Sequence, residues 1–253
     1  MVLSGVTVQN NEAEGSNGAN AKTVNKDGGA GLDAAGGGIW SSGTLTLENG
    51  TLVQNNTALG GNGGNSYEVN DPSSQAGNGG NGSGGGLYVA GGAATVVGGT
   101  LSGNVAEGGQ GGTGLMEFGG ATVDVGGHGG NGFGGGTFIA AGTVRLTSVT
   151  AESNSAIGAP ASVQFSNFPG NGYGGSIYAG GGTLTLCSDT VESNTAPTGQ
   201  LSGYGYGGGI YIVSGATVYI DSFTVAHTIN NTVSPGANES TANIDGTYIL
   251  QSC

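Results

Sequence analysis

Positive charge is nearly missing from this chain. Of 253 residues only 3 are Lys or Arg, against 16 Asp or Glu, for a formal net charge of -13. Lys22, Lys26 and Arg145 cannot build a phosphate-tracking stripe, and nucleic-acid affinity depends on neutralising several phosphates at once. Nucleic acid is therefore excluded as a partner, and attraction to an anionic membrane surface fails for the same reason. Proline is scarce, at 5 residues, and glycine does not fall at every third place along the chain, so collagen is excluded. No run of about 18 apolar residues occurs, so no helix is expected to insert directly into a bilayer. Two cysteines are too few for a disulfide framework. Helix formers are sparse, and no long 3.6-residue period survives the glycines.

What the chain does have is glycine, 60 residues of it, at the edge of a disordered composition. A repeat gives those glycines fixed places. A thirteen-residue block recurs six times, starting at Met1, Leu45, Ala94, Val144, Leu184 and Val218. Its third place holds Leu3, Leu47, Val96, Leu146, Leu186 and Ile220, and its eighth Val8, Leu52, Leu101, Ala151, Val191 and Val225. Its seventh place is a threonine row of Thr7, Thr51, Thr100, Thr150, Thr190 and Thr224. Its eleventh is an asparagine row of Asn11, Asn55, Asn104, Asn154 and Asn194, broken by Thr228. Glycine triplets (Ser176 ends the fourth) lead into an aliphatic or Thr and then an aromatic: Trp40, Tyr88, Phe138, Tyr178 and Tyr211. Alternation such as Leu45-Thr46-Leu47 is the period of a half-buried strand.

Three short strands per unit and no helix describe the coils of a parallel β-helix, in which each unit buries its apolar face only against its neighbours. The expectation is an all-β solenoid of about six coils, right-handed by the usual chirality of parallel crossovers. The remaining residues fall at one corner, in loops near 14–35, 59–83, 107–133, 157–173 and 197–206. Their Gly-Gly-X runs repeat every three residues, which predicts that neighbouring loops pack as extended three-fold helices. Met1–Gly5 has neither the basic nor the apolar region of a signal peptide, and the blocks begin and end in mid-coil. The chain thus reads as one β-helix domain over 1–253, a fragment of a longer protein, with end-to-end self-association expected.

Gly37-Gly38-Ile39 followed by Leu52 to Asn55, and Gly175-Ser176-Ile177 followed by Val191 to Asn194, resemble the repeats of polymorphic outer-membrane proteins and autotransporter-type β-helix passengers. The resemblance implies an extracellular or cell-surface structural and adhesive passenger, with host or matrix glycans or proteins as partners. The apolar-x-x-Asn motif here never uses the phenylalanine that the family prefers. The alternative on this architecture is a polysaccharide lyase or glycoside hydrolase. A hydrolase needs two facing carboxylates, whereas here the acids are scattered and neither His128 nor His227 has a repeat-consistent acid beside it. No catalytic residue, cofactor site or metal site is assigned.

The asparagine row is expected to bond from coil to coil and hold a turn. The threonine row is expected to be an exposed strand row, since the residues two places on (Gln9, Val53, Ser102, Glu152, Glu192 and Ala226) are too irregular for an ice-binding array. No stretch matches the calcium signature of β-rolls. Weak calcium binding by loop carboxylates such as Glu68 with Asp71 is the one metal expectation, and Asp124 lacks the repeat spacing. The aromatic row is expected to stack as a ladder, and it is also the binding stripe if the chain has one. Cys187 and Cys253 are expected to lie two coil steps apart, about 9–10 Å, and to remain free thiols.

Overall fold

The computed structural model describes residues 1–23, 26–67, 74–118, 121–124, 126–161, 168–199, 203–234 and 241–253, with backbone only for 115–118 and 121–124. The chain winds as a parallel β-helix, and each strand pairs with its equivalent in the next turn. A turn carries five strands where the sequence reading counts three. In the fourth turn they are Thr143–Thr147, Thr150–Glu152, Ser155–Ile157, Gly172–Tyr173 and Ile177–Ala179. The third and fourth flank the glycine-rich loop and are too short, at 3 and 2 residues, to show an alternating period. Corresponding strands form parallel sheets of seven, six, six, five and six strands. A helix, Ser222–Ala226, also departs from the all-strand expectation; Asp221 caps it by accepting from the Thr224 backbone N–H at 2.8 Å.

The core sits inside the coil. Leu47, Val96, Leu146, Leu186 and Ile220 share one register and are fully buried. Leu45, Ala94, Val144, Leu184 and Val218 form the row beside them. Each large aliphatic of this kind stabilises the coil by roughly 1.5–3 kcal/mol.

The asparagine ladder exists, with one member corrected. Its rungs are Asn11, Asn56, Asn104, Asn154 and Asn194, continued by Asn231 and Asn243. Each interior amide donates through Nδ2 to the next Oδ1 and to a strand carbonyl of the preceding turn, as Asn104 does to Asn154 at 3.0 Å and to Val53 at 2.9 Å. Asn55 is not a rung. It is exposed and occupies the left-handed corner at φ 53°, a place filled elsewhere by Asn10, Gly103, Ser153, Ser193 and Asn230. The cause is one additional residue in the second turn, where Leu47 pairs with Val96 but Leu52 pairs with Thr100. The Asn49-Gly50 turn, both residues at positive φ, absorbs it.

That insertion also displaces the threonine row. Thr7, Thr100, Thr150 and Thr190 keep a common register, with Leu52 standing between the first two. Thr51 is instead buried, and its hydroxyl donates to the carbonyls of Leu3 and Glu48. Thr224 lies on the helix, with its hydroxyl oxygen accepting from the Asp189 N–H. In the eighth-place row, Val53 replaces Leu52 and Thr228 replaces Val225.

The glycine triplets and the asparagine ladder fit one another. A Cβ at Gly38 would come 2.9 Å from the Asn56 side chain, and one at Gly86 would stand 3.0 Å from Asn104. A glycine at the third place of these two triplets thus leaves room for the asparagine rung and for the carbonyl of the next turn, 2.7 Å from either Cβ, whereas the fourth triplet accommodates Ser176 there.

Loop glycines are ordered in the same way, and the three-residue period is the key. Along Gly60-Gly61-Asn62-Gly63-Gly64-Asn65, Gly60 and Gly63 donate to Glu107 and Gln110 of the next turn. Gly61 and Gly64 donate across to Leu32 and Gly29 of a returning arm. Asn62 and Asn65 point their amides along the edge, where Asn62 Oδ1 accepts from the Gln110 N–H and Asn65 Oδ1 from the Thr113 N–H. The network continues between returning and outgoing arms, from Gly80 to Gly61, Gly109 to Gly80 and Gly130 to Gly109. Outgoing and returning arms thus pack as a bundle of extended three-fold helices, as the spacing predicts. An antiparallel hairpin, Leu115–Phe118 with Ala121–Asp124, extends the third loop.

The cysteines overturn their expectation. Cys187 and Cys253 form a disulfide, with Cα atoms 5.9 Å apart. Counting coil steps fails because the chain leaves the ladder after Gln251, whose N–H still donates to the Ile220 carbonyl at 3.0 Å. The tail folds back on the turn below, where the chain has gone into the helix instead of a strand. Cys253→Ser is expected to fray the last turn at a cost of about 2 kcal/mol, at the low end for disulfides because strand ladders already hold much of the closed segment. Hydrogen exchange should show a faster amide at Gln251, which donates to Ile220, with no change around Leu101; uniform acceleration along the chain would contradict this.

Candidate functional site

The aromatic residues of the sequence stripe lie in one register, Trp40, Tyr88, Phe138, Tyr178 and Tyr211. Ring centroids along the row are 6.5, 4.9, 4.8 and 5.6 Å apart, with planes within 21° of parallel. The expected ladder is therefore present. Rings touch at about 3.5–4 Å, so rings whose centroids are nearly 5 Å apart must be slipped over one another. Each ring of the row keeps part of its surface exposed.

A second row was not read from the sequence. Phe133, Tyr173 and Tyr206 share a register on the neighbouring sheet and stack at 5.2 and 5.0 Å. Their signal is an aromatic five places ahead of the stripe residue, occupied by Ala35 and Ser83 in the first two copies. The rows meet where the chain bends at a glycine with positive φ, such as Gly134 at 59° or Gly174 at 63°. Rings of the two rows interlock edge to face: Phe133 with Phe138 at 6.1 Å and 72°, and Phe133 with Tyr178 at 5.0 Å and 66°.

Outward side chains that touch across a bend define the inside of an elbow, so these eight rings line a groove running along the solenoid axis. Trp40 is 55% exposed and the other seven are half-buried. Burial raises the pKa of Tyr178, Tyr206 and Tyr211, and nearby phenols and, for the last two, Asp245 add to it. At neutral pH these three phenols therefore present uncharged hydroxyls. Tyr173 accepts from Asn171 Nδ2 at 3.0 Å through its hydroxyl oxygen.

No family model, curated protein or solved structure matches the chain.

Other candidate groups are placed away from it or engaged elsewhere. Asp189 is the most perturbed carboxyl: burial pushes it up to about 7 against the pull of the Val149 and Cys187 amides, and Asp221 adds to the rise. Its two oxygens accept from those two amides, and Asp221 accepts from Ser188 and Thr224. The pair thus fixes the last corners of the solenoid rather than facing a cleft. His128 stacks on Phe168 at 4.4 Å and His227 on Phe223 at 3.8 Å. Glu68 and Asp71 lie outside the described residues, as does the Asp124 side chain. Among the described residues no group of three His, Cys, Asp or Glu could hold a metal ion, and no helix is long and apolar enough to cross a membrane.

Proposed function

We propose that this chain is an extracellular, surface-displayed structural and adhesive repeat protein, a non-catalytic passenger-type module that offers its aromatic groove to host or matrix glycans or proteins. The observation that carries this reading is the groove itself: eight rings half-open to solvent along one face of a rod. Aromatic side chains supply large, rigid contact area at low entropic cost, and here the coil fixes them before any partner arrives. The likeness of the Gly-Gly-X-aliphatic and apolar-x-x-Asn pairs to passenger repeats supports display outside the cell.

An array of glycans and matrix proteins probed with the intact chain tests the reading. Binding by the wild type should fall about tenfold or more, some 1.4 kcal/mol, in the double variant Trp40→Ala with Tyr88→Ala at an unchanged fold. Equal binding by the two proteins, or turnover of any glycan on the array, would overturn it.

A further inference from the structure

The groove is filled by rings over only part of its length. We propose that its open section, between Trp40 and Tyr88 on one wall and Ala35 and Ser83 on the other, receives an aromatic side chain presented by a partner polypeptide of neutral or basic local charge. This partner class presupposes the adhesive reading above and applies to the same groove.

The protein's own sequence shows what fits there. Ala35, Ser83, Phe133, Tyr173 and Tyr206 occupy one register, and three of these five places hold a ring. Phe133 makes an offset stack with Tyr173 at 5.2 Å and stands edge-on to Phe138 at 72°. At Ser83 and Ala35 the row has no ring. The side of Phe133 that faces Ser83 therefore lacks a stacked partner from its own row. Among the described residues, Tyr88 and Trp40 likewise have no ring opposite them of the kind Phe138 finds in Phe133. An incoming ring at Ser83 would stack on Phe133 and meet Tyr88 edge to face, reproducing contacts that the next turns already make. Such pairs depend on the negative face and positive edge of an aromatic ring, which a pyranose does not have.

Charge narrows the partner further. Asp33 lies two places before Ala35, in the returning arm that leads into the strand Ala34–Ala35, and is exposed. Its Oδ1 accepts from the Asn81 N–H at 2.6 Å, two places before Ser83, which anchors the carboxylate where both chains enter the open section. With a net charge of -13 over the whole chain, an acidic segment is repelled, and a ring flanked by Lys or Arg is drawn in.

Trp40 is the one tryptophan of the sequence, so its emission reports on this section directly. The probes are the capped tripeptides Lys-Phe-Lys and Glu-Phe-Glu and a neutral glucose oligosaccharide, each titrated against the intact chain and against Ser83→Tyr. The expected result is a saturable emission change with Lys-Phe-Lys at roughly millimolar concentration, the scale for one small ligand group. Glu-Phe-Glu should bind several-fold more weakly. Ser83→Tyr should melt above the wild type, because it completes the row, and should weaken Lys-Phe-Lys about tenfold. Undiminished Lys-Phe-Lys binding by a stabilised Ser83→Tyr would overturn the proposal, and so would the lack of any saturable response to the peptides. Saturable binding of the oligosaccharide alone would also overturn it, while leaving the adhesive reading in place. Silence of all three probes together with a silent array would remove both.

Discussion

Gly80→Ala is expected to destabilise the protein by about 3 kcal/mol, the upper end for an added methyl group in a packed interior. Gly80 lies in a returning arm, where its N–H donates to Gly61 and its carbonyl accepts from Gly109, each at 2.8 Å. A Cβ there would fall on the Leu32 carbonyl, far inside van der Waals contact. The obstacle is backbone, so no side-chain rotation relieves it and the arm must move away from its neighbours. Gly91→Ala is the matched control, because a Cβ at Gly91 meets nothing within 4 Å. Gly91→Ala should change stability by no more than about 0.5 kcal/mol in either direction. Thermal melts of the two variants, with hydrogen exchange at Gly61 and Gly109, decide the matter. Equal stabilities and unprotected arm amides would mean that the loops do not pack as a bundle.

Asn104→Ala is expected to cost about 4 kcal/mol. The Asn104 Oδ1 accepts from both the backbone N–H and the Nδ2 of Asn56, at 3.1 and 3.0 Å, while its Nδ2 donates to Val53 and Asn154. Truncation leaves several groups unpaired where no water reaches, since Asn56, Asn104 and Asn154 are all at 0% exposure. A buried unsatisfied group costs about 1–3 kcal/mol, and more than one is created here. Asn55→Ala should cost only about 1 kcal/mol, the preference of asparagine over alanine for a left-handed corner. Urea titration of both variants separates the rung from the corner. A comparable loss at Asn55 would reverse the register given for the second turn.

That pair of asparagines also shows how far the fold could be read from sequence. The rows Leu47-Val96-Leu146-Leu186-Ile220 and the stripe from Trp40 to Tyr211 were legible because strand alternation and glycine triplets mark each copy. The extra residue of the second copy was hidden because Thr51 happens to match the threonine row and Asn55 the asparagine row. Both matches are chemically plausible one place out of register, and only the pairing of Leu52 with Thr100 separates them. The disulfide was missed for a different reason: rise per coil fixes where a strand lies, but not where a tail that has left the ladder can reach. Half of the candidate groove was visible as the stripe. The other half sits on two-residue strands such as Gly132–Phe133, which carry no periodicity to find.

The glycine-rich arms have a mechanical consequence. Their bonds from Gly60 to Glu107 and from Gly31 to Asn78 join successive turns, as the strand ladders do. Tension along the axis is therefore carried by two sets of rungs side by side, one in the solenoid wall and one in the arms. Separating a pair of turns requires both sets to fail together, so the arms act as reinforcement against pulling rather than as slack between strands.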